Sequence, residues 1–363
     1  MNDRGDARRP APASAKILYV ETLRGIACIL LVSYHVIGDT SSNGLRLPDG
    51  DLFSFVNRMF IDVRMPLFSF ISGFVFSAYA ADLPALRGKV GAKVRRLLVP
   101  MVVVGSLHYG LQTVFAPQGD AQVPYYYLFI LPYEHFWYLQ ATFLLMLTVF
   151  VVTYALKGDG TRAAAVLLLP CILVSVLLDR WHPDVFSSYK AVYLAPYFLT
   201  GYLISHAARL KAGMDRAAAS KPLVAAASVL FILLFVLEWA LVANLVHPGA
   251  PERRAIGLGV GLSACLFLFL LRFQWRFLTF IGDKSYAIYL FHVLFTAGSR
   301  IVLERLVPGL GVPALFAVGV VAGLTGPIVV SWLALKHPVS SLLFLGIRTA
   351  PRRRAKQEPA FGN

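Results

Sequence analysis

Charged residues are scarce in this chain of 363 residues. They make up 15% of it, against 58% hydrophobic residues, and no polar stretch is long enough to fold as a separate soluble domain. An average soluble domain has about 25% charged and about 45–50% apolar residues. The scarcity of charge therefore argues against an ordinary soluble enzyme and favours a single integral membrane unit.

Cysteine and acidic residues are also few. The three cysteines, Cys28, Cys171 and Cys265, all lie in apolar runs. Nothing in these positions suggests a disulfide framework or a zinc site, and they predict small buried apolar side chains. The 19 acidic residues against 34 Lys/Arg leave a net charge of +15. In a soluble protein such a charge would suggest a nucleic-acid partner. The positions of the basic residues decide whether the charge indicates such a partner or the topology of a membrane protein.

Apolar runs of about 20 residues recur along the chain, as required to cross a hydrocarbon core about 30 Å thick. With the N-terminus in the cytoplasm, 24 Lys/Arg lie inside and 8 lie outside, if Arg300 at the outer end of the ninth span is counted with the latter; two more lie within spans. This excess follows the positive-inside rule, so the charge indicates topology and contact with anionic lipid, not nucleic acid. We predict an all-α polytopic membrane helical bundle of about ten transmembrane helices with both termini cytoplasmic. The predicted spans are residues 19–38, 59–80, 97–116, 134–156, 163–179, 191–207, 222–246, 255–271, 285–303 and 313–335.

The polar ends of the chain set the predicted domain boundaries. Residues 1–16 are expected to be a disordered cytoplasmic arm, 17–337 the membrane domain, and 338–363 a basic cytoplasmic tail. No small-residue cleavage site follows the first span, so no removed signal peptide is predicted. No internal repeat of fixed period is visible, which disfavours an inverted-repeat transporter.

Span 1 contains ionisable residues in the stretch ETLRGIACILLVSYHVIG (21–38). On a helix that turns about 100° per residue, Arg24 and His35 share one face and lie about 16 Å apart along the axis. Arg24 can pair with Glu21 at i,i+3 and extend to the cytoplasmic interface. That interpretation leaves His35 unexplained, unless it is an ordinary interfacial residue. Ionisable groups inside spans are functional by default.

Two further groups lie at the depth of His35. Asp62 and Arg64 enter span 2 from outside; being two residues apart, they face different directions, and Asp62 is a candidate partner that would fix the tautomer of His35. Glu134 and Trp137 open span 4 from outside. An aromatic belt at the membrane interface explains Trp137 without any chemistry, whereas Glu134 is less easily explained.

Span 9 and the inner loops supply the remaining candidates. Tyr289, His292, Thr296 and Ser299 form a polar stripe along one helical face. A lone His292 would be a packing residue, and in such a stripe it is equally consistent with a functional role. The inner clusters KVRRLLVP (93–100) and RFQWRF (272–277) either anchor helix ends or bind a polyanion, since guanidinium groups pair with phosphate.

Four motifs together resemble the acyltransferase family 3 membrane proteins. They are LRGIACILLVSYH, RMPLFSFISGF, HFWYL and GDKSYAIYLFH, and they occur in the family's order over nearly the entire chain. The resemblance implies a ten-span membrane domain alone. It also implies transfer of an acyl group, usually acetyl from acetyl-CoA, to a hydroxyl or less often an amine, commonly on a cell-envelope sugar. The family's essential Arg and His correspond to Arg24 and His35, the Arg before Met-Pro to Arg64, and the Ser-Gly to Ser72 and Gly73.

The resemblance and the span positions together lead to a scheme. His35 is expected to be the general base or to carry a covalent acyl group, and Arg24 to orient CoA. Asp62 or Glu134 would orient His35, and Arg64 or Tyr289 would stabilise the oxyanion. The predicted catalytic residues are His35, Arg24, Asp62 and Glu134. The predicted substrate-binding residues are Arg64, Ser72, Trp137, Tyr289 and His292. The predicted CoA-binding residues are Arg95, Arg96 and Arg276.

The sequence therefore predicts a membrane-bound O-acyltransferase, located in the bacterial inner membrane, with no permanently bound cofactor and no metal. Its expected partners are acetyl-CoA or another acyl-CoA, an envelope glycan or other hydroxyl-bearing acceptor, and membrane lipid, without nucleic acid. A proton-coupled transporter is the alternative, because ionisable residues in spans also mark ion pathways. A scaffold protein would leave Arg24, His35 and Asp62 unexplained.

Overall fold

A computed structural model of the protein describes residues 17–40, 43–48, 50–77, 82–115 and 123–348. The regular structure of these described residues is helical throughout. The predicted arm, 1–16, and most of the predicted tail, 349–363, lie outside them. The α-helices are α1 (Leu18–Ile37), α2 (Leu52–Met59), α3 (Ile61–Val75), α4 (Leu83–Lys93), α5 (Val99–Phe115), α6 (Tyr127–Ile130), α7 (Trp137–Ala155), α8 (Gly160–Leu177), α9 (Ser188–His206), α10 (Ala208–Ala219), α11 (Lys221–Val242), α12 (Ala250–Leu270), α13 (Arg276–Asp283), α14 (Ser285–Leu306), α15 (Val312–Ala334) and α16 (Pro338–Leu345).

Short irregular turns connect several of these helices. A π-helical turn, Val94–Leu98, joins α4 to α5, and 3₁₀ turns at Glu134–Phe136 and Val185–Ser187 precede α7 and α9. The first of the 3₁₀ turns places residues of the HFWYL motif within the bundle.

Eight helical segments in the described residues are long and apolar enough to cross a membrane. They correspond to eight of the ten predicted spans, and the protein is an integral membrane protein. The two other predicted spans, 59–80 and 191–207, correspond to α3 and α9. Eight spans, or ten with these two helices, is an even number, which is what the prediction of two cytoplasmic termini requires.

Helices α3 and α9 differ from lipid-facing helices in length and surroundings. Helix α3 has 15 residues and ends at Val75, so the prediction of a span over 59–80 was too long. Helix α9 begins at Ser188 and includes Lys190 and His206. Most residues of both helices are buried. Because protein surrounds them, neither helix needs the length or the uniform apolarity that lipid demands.

Helices α3 and α9 approach each other at two glycines. A Cβ added to Gly73 would lie 1.9 Å from the carbonyl oxygen of Phe198, and one added to Gly201 would lie 2.1 Å from that of Phe70. Small residues allow such close backbone packing between membrane helices. This contact fixes the centre of the bundle, and Gly73 belongs to the Ser-Gly pair that the sequence singled out.

A second close contact joins α1 to α13. A Cβ on Gly25 would lie 2.1 Å from the carbonyl oxygen of Leu278, and one on Gly282 would lie 1.8 Å from that of Glu21. Only Lys284 separates α13 from α14. The contact therefore sets the position of α14 relative to α1.

The predicted tail begins with an ordered segment. Residues 338–345 form α16, in which Ser341 and Leu345 are buried. The guanidinium of Arg96 donates to the carbonyl oxygen of Leu345. The first eight residues of the predicted tail therefore pack against the bundle as α16.

Replacing Gly73 by alanine should destabilise the bundle, because the added methyl group would collide with the backbone of α9. Overpacking of this kind costs about 1–3 kcal/mol. Thermal unfolding of the purified protein in detergent measures the effect. Gly110→Ala in α5 is the control, since its Cβ would meet nothing within 4 Å. Equal unfolding temperatures for the two variants would contradict the close packing of α3 on α9.

Candidate active site

A cavity of about 1890 Å³ lies at the outer ends of the helices in the predicted orientation. Its walls include the end of α1, the start of α3, the first turn of α12 and the second half of α14, together with the loop after α1. The volume is larger than that of most small-molecule sites, about 300–1,000 Å³. The cavity can therefore hold a ligand of several sugar rings.

Four histidine rings form a cluster at this cavity. The ring of His35 lies 4.8 Å from that of His292 and 5.9 Å from that of His135, measured between centroids. His135 is 5.0 Å from His292 and 5.9 Å from His108. The four come from α1, α14, the 3₁₀ turn before α7, and α5. His35, His108 and His135 line the cavity, whereas His292 is fully buried beside His35.

The hydrogen bonds of His292 assign its tautomer. Its Nδ1 lies 2.9 Å from the carbonyl oxygen of Ile288 and 3.0 Å from that of Tyr289. Carbonyl oxygens only accept hydrogen bonds, so Nδ1 carries the hydrogen. The buried Nε2 has no hydrogen-bond partner in the described residues. In a neutral ring this nitrogen holds a free lone pair next to His35.

Arg64 lies close to His35 as a buried cation. Its guanidinium is 4.0 Å from the ring centroid of Tyr34, and that ring is 4.8 Å from the ring of His35. Arg64 Nη1 donates to Asn57 Oδ1 at 2.7 Å. The residue is 4% exposed and forms no salt bridge within the described part of the chain. It offers a positive charge to the cavity without a carboxylate to neutralise it.

Asp62 does not contact His35, which the sequence suggested as its partner. Its Oδ2 accepts from Arg253 Nη1 at 2.8 Å, and its Oδ1 accepts from the Tyr193 hydroxyl at 3.4 Å. Arg253 Nη2 also donates to Glu238 at 2.9 Å. Asp62 and Arg64 do face different directions, as their spacing predicted. Asp62 points towards Arg253 of α12 and Tyr193 of α9.

Glu134 and Tyr289 line the cavity but use their polar atoms within the protein. Glu134 Oε1 accepts from Gln112 Nε2 at 3.1 Å. The hydroxyl of Tyr289 donates to the carbonyl oxygen of His135. Tyr289 therefore holds the 3₁₀ turn in place, and neither residue orients His35 through a hydrogen bond in this structure.

Trp137 lies on the cavity wall at the start of α7. The ammonium of Lys190 is 4.9 Å from its ring centroid, and both residues line the cavity. Tyr34, Tyr189 and Tyr193 also line it. These rings give the cavity an aromatic surface.

Arg24 and Ser72 lie outside this cavity. Arg24 Nη1 pairs with Glu21 at 2.8 Å, which is the i,i+3 pairing that the sequence predicted. Ser72 shares a hydrogen bond of 3.1 Å with the Tyr138 hydroxyl. Neither lines the cavity that contains His35. The sequence suggested polar groups at several depths of one cavity, but packed side chains separate the inner groups from the outer ones.

The three predicted CoA-binding arginines lie on the inner side. Arg96 donates to the Leu345 carbonyl oxygen and lies 4.1 Å from the ring centroid of Tyr286. Arg95 is partly buried, and Arg276 is exposed at the start of α13. Arg96 therefore stabilises α16 and α14 through its own contacts, and Arg276 is the most accessible of the three.

His108, His135, Arg253 and Glu238 are site-region residues that the sequence prediction did not include. His108 lies about two turns from the outer end of α5, a depth similar to that of His35. His135 is adjacent to the predicted Glu134. Glu238 is a carboxylate within an otherwise apolar 22-residue helix. An ionisable residue at matching depth in another span was the signal for His108, His135 and Glu238. Arg253 precedes the predicted span 255–271 and gave no such signal.

A family model described as an acyltransferase domain matches residues 17–333, nearly the whole chain. No curated protein and no solved structure matches the chain significantly. The matched range includes all four clustered histidines and nearly every residue of the cavity wall.

Glu238→Gln should destabilise the attachment of α11. Glu238 is the one buried residue of this helix and holds Arg253, which in turn holds Asp62. Losing a charged hydrogen-bond partner in a buried position costs about 1–3 kcal/mol. Thermal unfolding in detergent measures the change, with the exposed neighbour variant Glu252→Gln as the matched control. No difference between the two would show that the ion pairs do not fix α11.

Proposed function

The chain belongs to the acyltransferase domain family, and we propose that this membrane acyltransferase moves an acetyl group from acetyl-CoA to a hydroxyl of a cell-envelope carbohydrate. The observation that carries the proposal is the position of His35. It lies on the wall of a large outer cavity, among three other histidines and beside the buried cation of Arg64.

His35 acts as the general base in the proposed direct route. Its imidazole takes the proton from the acceptor hydroxyl while the oxygen attacks the thioester carbonyl carbon. The carbon–sulfur bond breaks, and the CoA thiolate receives the proton from His35. In the alternative route, an imidazole nitrogen attacks the thioester carbon and the CoA thiolate leaves. The acceptor hydroxyl then displaces the imidazole from the acyl carbon, and its proton passes to the freed imidazole and on to the thiolate.

Arg64 stabilises the negative charge that develops on the carbonyl oxygen. Its position next to Tyr34 and His35, and the lack of a carboxylate partner, support this role. A fixed donor in a site shielded from water stabilises an oxyanion strongly because it needs no reorganisation. Tyr289 is less suited to this role, since its hydroxyl is bonded to the backbone at His135.

His292 replaces Asp62 as the proposed partner of His35. Its ring is 4.8 Å away, its Nδ1 is fixed by two carbonyl oxygens, and its Nε2 is free. A free lone pair at this position favours one orientation and tautomer of His35. Asp62 instead keeps Arg253 and Tyr193 in place at the cavity wall.

The acceptor side of the cavity suits a carbohydrate. Aromatic rings that line it, among them Trp137 and Tyr193, can cover the apolar faces of sugar rings, and the surrounding polar groups can bind hydroxyls. In the predicted orientation the cavity lies on the outer side of the bacterial inner membrane, where envelope glycans are found.

The donor side is the inner face of the bundle. Arg24, with 24% of its side chain exposed, and the exposed Arg276 are the proposed contacts for the pantetheine and phosphate groups of CoA. Arg95 and Arg96 lie close by and extend the positive charge. The pantetheine arm, with the acyl thioester at its end, must then extend about 16 Å along α1 to reach His35, past the packed side chains that separate the inner groups from the outer cavity.

Acyl transfer from labelled acetyl-CoA into the cell-envelope fraction tests the proposal. We expect His35→Ala to lose about 10²–10⁴-fold in rate, the contribution of a general base. His292→Gln should lose less than His35→Ala, because it changes the orientation of the base and not the base itself. His247→Ala, at an exposed histidine in the loop before α12, should keep the wild-type rate at equal membrane abundance.

Equal labelling by wild type and His35→Ala would remove His35 from the mechanism. Mass analysis of the labelled product identifies the acyl group and the acceptor.

Binding of acetyl-CoA at the inner face is tested by thermal stabilisation of the purified protein. At a ligand concentration about 100 times Kd, binding adds about 2.7 kcal/mol to stability. We expect Arg24→Gln and Arg276→Gln to weaken this stabilisation, and Arg305→Gln, at an exposed arginine on the outer side, to leave it unchanged. A proton-coupled transporter would show no stabilisation by acetyl-CoA in any variant.

A further inference from the structure

The basic residues on the outer side of the protein are gathered around one cavity. Of the 8 Lys/Arg that the predicted topology places outside, seven line this cavity: Arg46, Arg180, Lys190, Arg253, Arg254, Arg300 and Arg305. Only Arg58 does not. The positive-inside rule disfavours basic residues on this side. Their concentration at the cavity therefore needs a local cause.

Acidic residues of the cavity do not balance this charge. The lining contains eight Lys/Arg, with Arg64 included, and four Asp/Glu. Two of these carboxylates are already engaged, since Asp62 pairs with Arg253 and Glu304 lies 3.5 Å from Arg300. The cavity therefore has a net positive charge with its histidines neutral.

Four of the basic residues come from the α8–α9 connection and from the starts of α9 and α12, and we call them the basic wall: Arg180, Lys190, Arg253 and Arg254. Arg253 is held by Asp62 and Glu238. Arg180 and Lys190 form no salt bridge with any described residue. Arg180 repels Lys190 electrostatically, and the carboxylate of Asp184 attracts it. A bound anion would offset the remaining repulsion among the four basic groups.

Arg254 provides the most specific indication of a ligand. Its Nε donates to the Val176 carbonyl oxygen at 2.9 Å, and its Nη1 donates to Asp179 at 3.0 Å. These bonds fix the guanidinium, yet its buried Nη2 has no hydrogen-bond partner in the described residues. A buried donor without a partner costs free energy, which an anionic oxygen would recover.

Trp137 links the basic wall to the candidate catalytic centre. Lys190 lies over its ring, and the ring opens α7 two residues after His135. A sugar ring that stacks on Trp137 would therefore place an acidic substituent at Lys190 and Arg180. Another part of the same ligand would then reach the histidine cluster.

We propose that the acceptor is anionic and that its carboxylate or phosphate group binds the basic wall while its hydroxyl reaches His35. Guanidinium groups pair bidentately with both kinds of anion. The inference rests on the proposed acyl transfer and specifies its acceptor. The anionic group is bound and not chemically changed.

The charge of the acylated product tests this directly. Envelope glycans and lipid-linked sugars from the source cell are separated on an anion-exchange column into neutral and anionic fractions. Each fraction is then incubated with the purified protein in liposomes and labelled acetyl-CoA. We expect label in the anionic fraction. Prior phosphatase treatment abolishes the labelling if phosphate is recognised, and prior reduction of carboxyl groups abolishes it if a carboxylate is recognised.

Label confined to the neutral fraction would overturn the inference and leave the proposed function intact. No label in either fraction would overturn the proposed function, and the inference with it. Stabilisation by acetyl-CoA, measured in parallel, shows whether donor binding survives in that case.

A charge-removing variant of the basic wall supplies the second measurement. Arg180→Gln/Lys190→Gln should raise the KM for the anionic fraction about tenfold, leave kcat unchanged, and weaken the dependence of KM on ionic strength. Arg209→Gln/Lys211→Gln removes two charges from the exposed surface of α10 and serves as the matched control. An equal KM for both double variants would overturn the inference.

Discussion

The low dielectric of the membrane interior is the constraint on which the rest of this structure depends. A charge placed there needs a partner, since no water is present to solvate it. The Arg253 bridge between Asp62 and Glu238 meets this requirement across three helices, and the Glu21–Arg24 pair meets it within one. Arg64 has no such carboxylate partner among the described residues. Its cation is buried against Tyr34 and Asn57 without a carboxylate, at the edge of a cavity. The incomplete pairing marks where a ligand belongs.

Two glycine contacts convert this helical bundle into a defined site. Backbone contact at Gly25 and Gly282 fixes α13 on α1, and α14 follows α13 after one residue. The contact at Gly25 lies near the start of α1, and His35 lies near its end, with Cys28 and Leu31 in between. This distant contact therefore holds His292 on α14 beside His35 on α1. Tyr289, from the same helix, bonds the backbone of the turn that carries His135. Thus one helix, α14, determines the positions of three of the four clustered histidines relative to one another.

Much of this arrangement follows from the sequence, for identifiable reasons. The apolar runs predicted the membrane spans, and the distribution of Lys/Arg predicted which loops face the cytoplasm. Helical periodicity correctly predicted that Asp62 and Arg64 face different directions. The partner of Asp62 was not predictable, because it depends on how α12 packs against α3, and no local pattern encodes that packing. The length of α3 was overestimated, since apolarity after Val75 continues although the helix does not. The depth at which the cavity ends was not predictable either. It depends on contacts such as the Ser72–Tyr138 hydrogen bond between α3 and α7.

The distribution of outer basic residues connects topology with chemistry. Each Lys or Arg on the outer side acts against the charge bias that orients the chain during insertion. Residues retained there without a role would be expected at scattered positions, as Arg58 is. Seven of the eight instead line one cavity, and they come from the first outer loop, the α8–α9 connection, α9, α12 and α14. Elements so far apart in sequence share no local reason to be basic. Their common feature is the space that they enclose next to His35, so the charge is best explained by what enters that space.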